Sequence, residues 1–121
     1  MRRSVLVVDD EPDILELLAV LVGGDPRCAS VSVAESLERA VSLAGCGCPD
    51  TIVLDLMFGH RTCAEILPVL RGSCPGSRII VFTASERMAR AAGVIELGAD
   101  SIRQKVTVSF EDLVEEALGV A

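Results

Sequence analysis

The stretch SVLVVDDEPDILELL, residues 4–18, decides the fold. Ser4 to Val8 is a short apolar run rich in β-branched residues, the composition of a strand covered on both faces. Three acids follow, Asp9, Asp10 and Glu11, and then Pro12 stands where the first turn of a helix tolerates a proline. From Pro12 to Val22 the apolar residues recur at helical spacing, and Gly23-Gly24 supplies a stop. A buried strand, a cluster of acids and a helix are thus packed into twenty residues.

The same alternation continues to the end of the chain. Strands are expected over Cys28 to Val33, Thr51 to Asp55, Arg78 to Phe82 and Asp100 to Gln104. Helices are expected over Ser36 to Ala44, Arg61 to Arg71, Ser85 to about Leu97 and Ser109 to about Leu118. Ser85 is a plausible N-cap, and Ser109 with Asp112 has the spacing of a capping box. Pro68 should bend or shorten the third helix. Five strands alternating with five helices make one doubly wound α/β domain, residues 1–121, with a five-stranded parallel sheet. VLVV, TIVL and RIIVF are continuously apolar, as central strands should be, whereas Arg103 and Gln104 suit an edge.

Composition narrows the function. The 121 residues carry 11 Lys+Arg against 18 Asp+Glu, a net charge of −7, and no basic cluster that could grip nucleic acid. The core is aliphatic, since Phe58, Phe82 and Phe110 are the only aromatic residues. The apolar run after Arg2 and Arg3 is too short for a signal peptide or a membrane span, which points to a cytoplasmic protein without membrane contact. The five cysteines, Cys28, Cys46, Cys48, Cys63 and Cys74, are an odd number. They are expected to be small buried or loop residues rather than a disulfide framework or a metal site.

Polar groups fall at the carboxyl ends of the strands. The first strand ends in Asp9-Asp10, the third in Asp55, the fourth in Thr83 and the fifth near Lys105. Open α/β sheets bind ligands at that edge. Clustered carboxylates repel one another unless a cation joins them, and hard oxygens suit Mg²⁺. A lysine and a threonine opposite such an ion could hold a phosphoryl group, so the set reads as a phosphoryl-transfer site. Strand-end acids can also serve as helix caps; Asp10 could cap the first helix, whereas Asp9 and Asp55 directly follow buried strands.

LVVDDEPDILELL, IVLDL, VFTAS and GADSIRQK, in this order along the chain, resemble the receiver domains of bacterial two-component response regulators. The resemblance implies a flavodoxin-like (βα)5 fold, like that of the chemotaxis regulator, with strand order 2-1-3-4-5. It implies that Asp55 accepts a phosphoryl group from a sensor histidine kinase or phosphotransfer protein. Asp9, Asp10, Asp55 and the backbone carbonyl of Met57 would hold Mg²⁺. Thr83, Ala84 and Lys105 would meet the phosphoryl group, and Ile102 occupies the position of an aromatic switch residue. Ile14 on the first helix becomes a candidate kinase contact. The fourth helix, fifth strand and fifth helix become a candidate dimer face, offering Arg87, Arg90 and Arg103 with Glu96, Asp112, Glu115 and Glu116. Phosphorylation would switch an output partner or output domain, with transcription regulation as the expected outcome where such a domain follows.

Several positions depart from the pattern. Ile102 replaces the aromatic residue, Val106 replaces the proline after the lysine, and a trans Lys105–Val106 bond is expected. Gly59 replaces a proline in the loop after Asp55, which makes that loop more permissive. Met57 cannot orient an attacking water, so a long-lived phosphorylated state is expected. Two alternatives stand beside this reading: a receiver-like docking module that is never phosphorylated, and a haloacid-dehalogenase-type phosphatase. The second needs an aspartate where Met57 stands. On the receiver reading the chain is a phosphoacceptor switch and not an enzyme, acting alone or as one part of a longer regulator.

Overall fold

The computed structural model describes residues 2–105 and 109–119. In chain order the elements are β1 (Arg3–Val8), α1 (Pro12–Gly23), β2 (Cys28–Ala34), α2 (Leu37–Gly45) and β3 (Thr51–Leu54). A small hairpin pairs Met57–Phe58 with Arg61–Thr62, followed by a 3-10 turn at Cys63–Glu65. Then come α3 (Leu67–Ser73), β4 (Arg78–Thr83), α4 (Glu86–Ala91), α5 (Val94–Leu97), β5 (Ser101–Gln104) and α6 (Phe110–Leu118). The five-stranded sheet runs β2-β1-β3-β4-β5 with every pair parallel, the doubly wound order expected. The polar fifth strand is indeed at an edge.

Alternation along the central strands builds two cores. Leu6, Val8, Ile52, Leu54, Ile79 and Val81 face α2, α3 and the α4–α5 segment. Val5, Val7, Val53, Ile80 and Phe82 face α1 and α6, where Leu15, Leu18 and Val22 meet Leu113 and Ala117. Burying both faces of the sheet in aliphatic side chains is the main source of stability in a chain this poor in aromatics. Local signals set the helix starts: Ser36, Ser85 and Ser109 each accept a bond from a backbone N–H three residues on.

Three expectations are corrected. Arg61 and Thr62 belong to a hairpin strand, not to a helix, and Gly59 sits at its turn with φ of 64°. The helix begins only at Leu67, with Pro68 in its first turn, so the proline shortens the helix, as one branch of the expectation had it, by setting its start. The expected helix from Ser85 to Leu97 is two short helices. Gly93, with φ of 71°, breaks it in the left-handed region that β-carbon sterics deny most residues. Finally, Cys48 and Cys74 form a disulfide, with Cα atoms 5.5 Å apart. The topology, not the sequence spacing, brings the segments before β3 and β4 together. Cys28 and Cys63 are buried and Cys46 is an exposed loop residue, as expected. Val106 and its peptide bond lie outside the described residues.

Candidate functional site

Backbone bonds continue the sheet past its last residues and fix the polar groups in register. Asp9 N–H donates to Ala34 O (3.1 Å) and Asp55 N–H to Val8 O (2.9 Å). Lys105 N–H donates to Thr83 O (2.7 Å). Asp9, Asp10 and Asp55 thereby each present a carboxylate oxygen within 4.8 Å of the others. Asp9 and Asp55 are buried, at 2% and 7% exposure, and Asp10 is exposed. Asp10 does not cap α1. It is the Asp9 carboxylate that accepts the Glu11 N–H, at 2.9 Å.

The Lys105 ammonium reaches between the two buried acids, 3.1 Å from Asp9 Oδ2 and 3.5 Å from Asp55 Oδ1. It also lies 5.5 Å from the centre of the Phe82 ring. One cation therefore faces two buried carboxylates. Burial, followed by the neighbouring Asp9 charge, pushes Asp55 up to about 7 against the opposing pull of Lys105. Burial works against the Lys105 ammonium, but Asp55 and Asp9 outweigh it and hold its pKa above the ordinary lysine value. The adjacent buried thiol of Cys63 is driven up to about 12, first by burial and then by the Asp55 charge, so it is inert.

A cavity of about 330 Å³ opens over this group, lined by Asp10, Asp55, Met57, Thr83, Ala84 and Lys105 among others. The buried Thr83 hydroxyl is turned back on its own loop, accepting the Ser85 N–H at 3.1 Å. Met57 is half-buried in the first hairpin strand. Ile102 is not at the site but buried in the core beneath it. Ile14 is half-buried against the α1–α6 core, and the exposed apolar residues of α1 are Leu17, Val20 and Leu21. A larger cleft of about 410 Å³ runs between α1 and α6, but its Arg27 is already paired with Asp25 and Glu115. Chemistry, not volume, singles out the acidic cavity.

The donor set fits a small divalent cation: three carboxylates converge, and two of them share a single ammonium. Comparison with known proteins agrees. The response regulator receiver domain model matches residues 5–117. The chain belongs to that family. As a receiver domain it resembles the acid tolerance regulatory protein ActR of Sinorhizobium medicae (strain WSM419), 31% identical over 97 residues, covering 80% of this chain and 49% of that one. It resembles the nitrate/nitrite response regulator NarL of Escherichia coli (strain K12), 30% identical over 112 residues, covering 93% and 51%. The chain spans about half the length of these curated relatives. A response regulator from Burkholderia pseudomallei, solved with a phosphorylated aspartic acid, calcium ion and citrate, superposes with a TM-score of 0.82. It is 28% identical, covering 98% of this chain and 67% of that one. TrrA from Thermotoga maritima, solved with Mg²⁺ and BeF, gives 0.79 at 28% identity, covering 96% of each.

Five cavity residues of this receiver domain had no place in the candidate site read from the sequence: Glu11, Leu56, Gly59, Ser85 and Met88. Ser85 was legible only as a cap. That same cap, the Ser85 hydroxyl accepting the Met88 N–H at 3.2 Å, joins two residues of the cavity lining. No helix of the described residues is long and apolar enough to cross a membrane.

Proposed function

We propose that this receiver domain is a phosphorylation switch in which Asp55 accepts a phosphoryl group from a histidine kinase or phosphotransfer protein. The observation that carries the reading is the placement of Asp55: buried at the floor of an open cavity, beside Lys105 and two further carboxylates. An Asp55 oxygen attacks the phosphorus of a phosphorylated imidazole. The P–N bond breaks, its electron pair leaves with the imidazole, and an acyl phosphate remains on the protein. Asp9, Asp10, Asp55 and the Met57 carbonyl would hold Mg²⁺, which supplies positive charge against the transferring phosphoryl oxygens.

Lys105 already contacts both buried acids, so it can follow the negative charge as that moves from the Asp55 carboxylate to the phosphoryl oxygens. The Thr83 hydroxyl can donate to a phosphoryl oxygen once it leaves Ser85. That exchange loosens the first turn of α4 and transmits the event to the face built by α4, β5 and α6. With Ile102 rather than an aromatic residue in the core, the motion is a repacking, not a ring swing. Arg103, Arg78 and Ser101 are held on Glu116 of the same chain, so a dimer across this face would have to exchange these contacts. The exposed Leu17, Val20 and Leu21 make α1 the apolar surface available to a kinase, with Ile14 at its rim. The domain works in the cytoplasm as a carrier of the group and hands its state to an output partner or domain.

The test is incubation with acetyl phosphate and Mg²⁺ followed by intact-protein mass spectrometry. The wild type should gain the mass of one phosphoryl group, and Asp55→Asn should gain none. Turnover to free phosphate without mass gain would point to a phosphatase, and no reaction to a docking module. Met57→Asn should shorten the lifetime of the phosphorylated form severalfold, because an amide can orient water where a thioether cannot. An unchanged decay rate would refute that role for Met57.

A further inference from the structure

We propose that Cys48 and Cys74 form a redox-modification site, a thiol pair that a low-molecular-weight disulfide reversibly converts into a cross-link. The pair lies at the sheet edge opposite the acidic cavity. Cys48 is exposed in the segment between α2 and β3, and Cys74 is buried directly after α3. Their Cα atoms, 5.5 Å apart, are placed for bridging without backbone movement. The difference in exposure orders the chemistry, because only Cys48 is open to a reagent from solvent. Its thiolate attacks one sulfur of the external disulfide and expels the first thiolate, leaving a mixed disulfide. The Cys74 thiolate then attacks the Cys48 sulfur and expels the second. Two electrons pass from the cysteine pair to the external disulfide, which leaves as two thiols. Reduction is the reverse, beginning with attack of an external thiolate on the exposed Cys48 sulfur.

The other three cysteines are excluded by position. Cys28 and Cys63 are buried in different cores, and Cys46, though exposed, stands apart from the observed bridge. The cross-link closes the segment from residue 48 to 74, which contains Asp55, the hairpin and α3. Closing it restricts the unfolded chain and resists local opening of the segment that carries the cavity floor. Cytosolic disulfides are usually transient and redox-sensing. This setting rests on the cytoplasmic reading above, but the titration below does not.

The experiment equilibrates the full chain in buffers of varied reduced-to-oxidised glutathione ratio, alkylates it and maps the bridge by mass spectrometry. The oxidised form should carry a Cys48–Cys74 link with Cys28, Cys46 and Cys63 alkylated, and reduced glutathione should restore five free thiols. Oxidation should raise Tm by on the order of 10 °C. Cys48→Ser, an exposed substitution that leaves the core intact, should abolish both the link and the Tm rise, whereas Cys46→Ser should keep both. A bridge mapped to Cys46, failure to bridge at any ratio, or a bridge that survives excess reduced glutathione would each overturn the proposal.

Discussion

At the carboxyl ends of β1 and β3, Asp9 and Asp55 are buried side by side with a single ammonium between them. By the amino ends of β3, β4 and β5 several polar side chains bind backbone groups, while Arg78 and Ser101 turn to the Glu116 carboxylate. Asp50 accepts the Ser4 N–H (2.8 Å), Asp100 accepts the Ile79 N–H (2.7 Å), and the Thr51 hydroxyl donates to Ala117 O (2.8 Å). Arg71 donates to the carbonyls of Gly98, Pro75 and Ser77 and pairs with Asp100 at 2.8 Å. One edge of the sheet spends its polar groups on holding loops together. The other keeps charges near each other with too few counter-charges, which stabilises little until a ligand arrives. Stability and function are thus separated by the length of a strand.

The sharpest way to break this comparison is Arg71→Met. The change keeps much of the aliphatic stem but strips donors from three carbonyls and leaves Asp100 without its cation. Charge-assisted bonds of this kind, partly buried, are expected to cost about 3 kcal/mol together when lost. Urea unfolding at pH 7 measures it. A loss below about 1 kcal/mol would mean that the amino edge is not the stabilising one.

The complementary change is Asp55→Asn, which should stabilise the metal-free protein. Asp55 ionises near 7 in the folded state against 3.8 for the free side chain. Between those values the folded form binds more protons than the unfolded one, so stability falls as pH rises from about 4 to 7 and then levels off. The amide removes that loss. The expected gain is about 2 kcal/mol at pH 8 in EDTA, with a flatter profile below pH 7. Unfolding curves at several pH values check it, and a variant no more stable at pH 8 than at pH 4 relative to wild type would sink the claim of a strained acidic edge.

The contrast also explains which parts of the structure were legible in the sequence. VLVV, TIVL and RIIVF announce buried parallel strands because they are short, continuously apolar and rich in β-branched residues, and because they alternate with helix-period segments. Once the sheet is parallel, whatever follows each strand lands on one edge, so Asp9, Asp10, Asp55, Thr83 and Lys105 could be brought together from one dimension. The amino edge was not legible, since its contacts join loops far apart in the chain: Arg71 to Gly98, Ser77 to Pro49, Cys48 to Cys74. The hairpin at residues 57–62 was missed because two-residue strands carry no periodicity. The helical break at Gly93 was missed because an isolated glycine after an Ala-rich run is also compatible with a continuous helix. Asp9 rather than Asp10 bonds the Glu11 N–H because the carboxylate two residues before it closes a tight local turn.

The smallest predicted effect bears most directly on the acidic edge. Mg²⁺ binding only the folded form should stabilise the wild type by about 1.4 kcal/mol at tenfold its dissociation constant. Asp55→Asn should lose most of that increment while starting from a higher metal-free stability, so the two proteins converge as Mg²⁺ is added. Thermal unfolding across a Mg²⁺ titration, with ionic strength held fixed by NaCl, separates specific binding from screening. Screening would move both proteins together, because it acts on every exposed charge of a chain carrying −7. Site binding moves only the protein whose three carboxylates are intact. Parallel curves would leave the buried acids of β1 and β3 as a destabilising feature with no ion to relieve it, and the division of labour between the two edges would then need another cause.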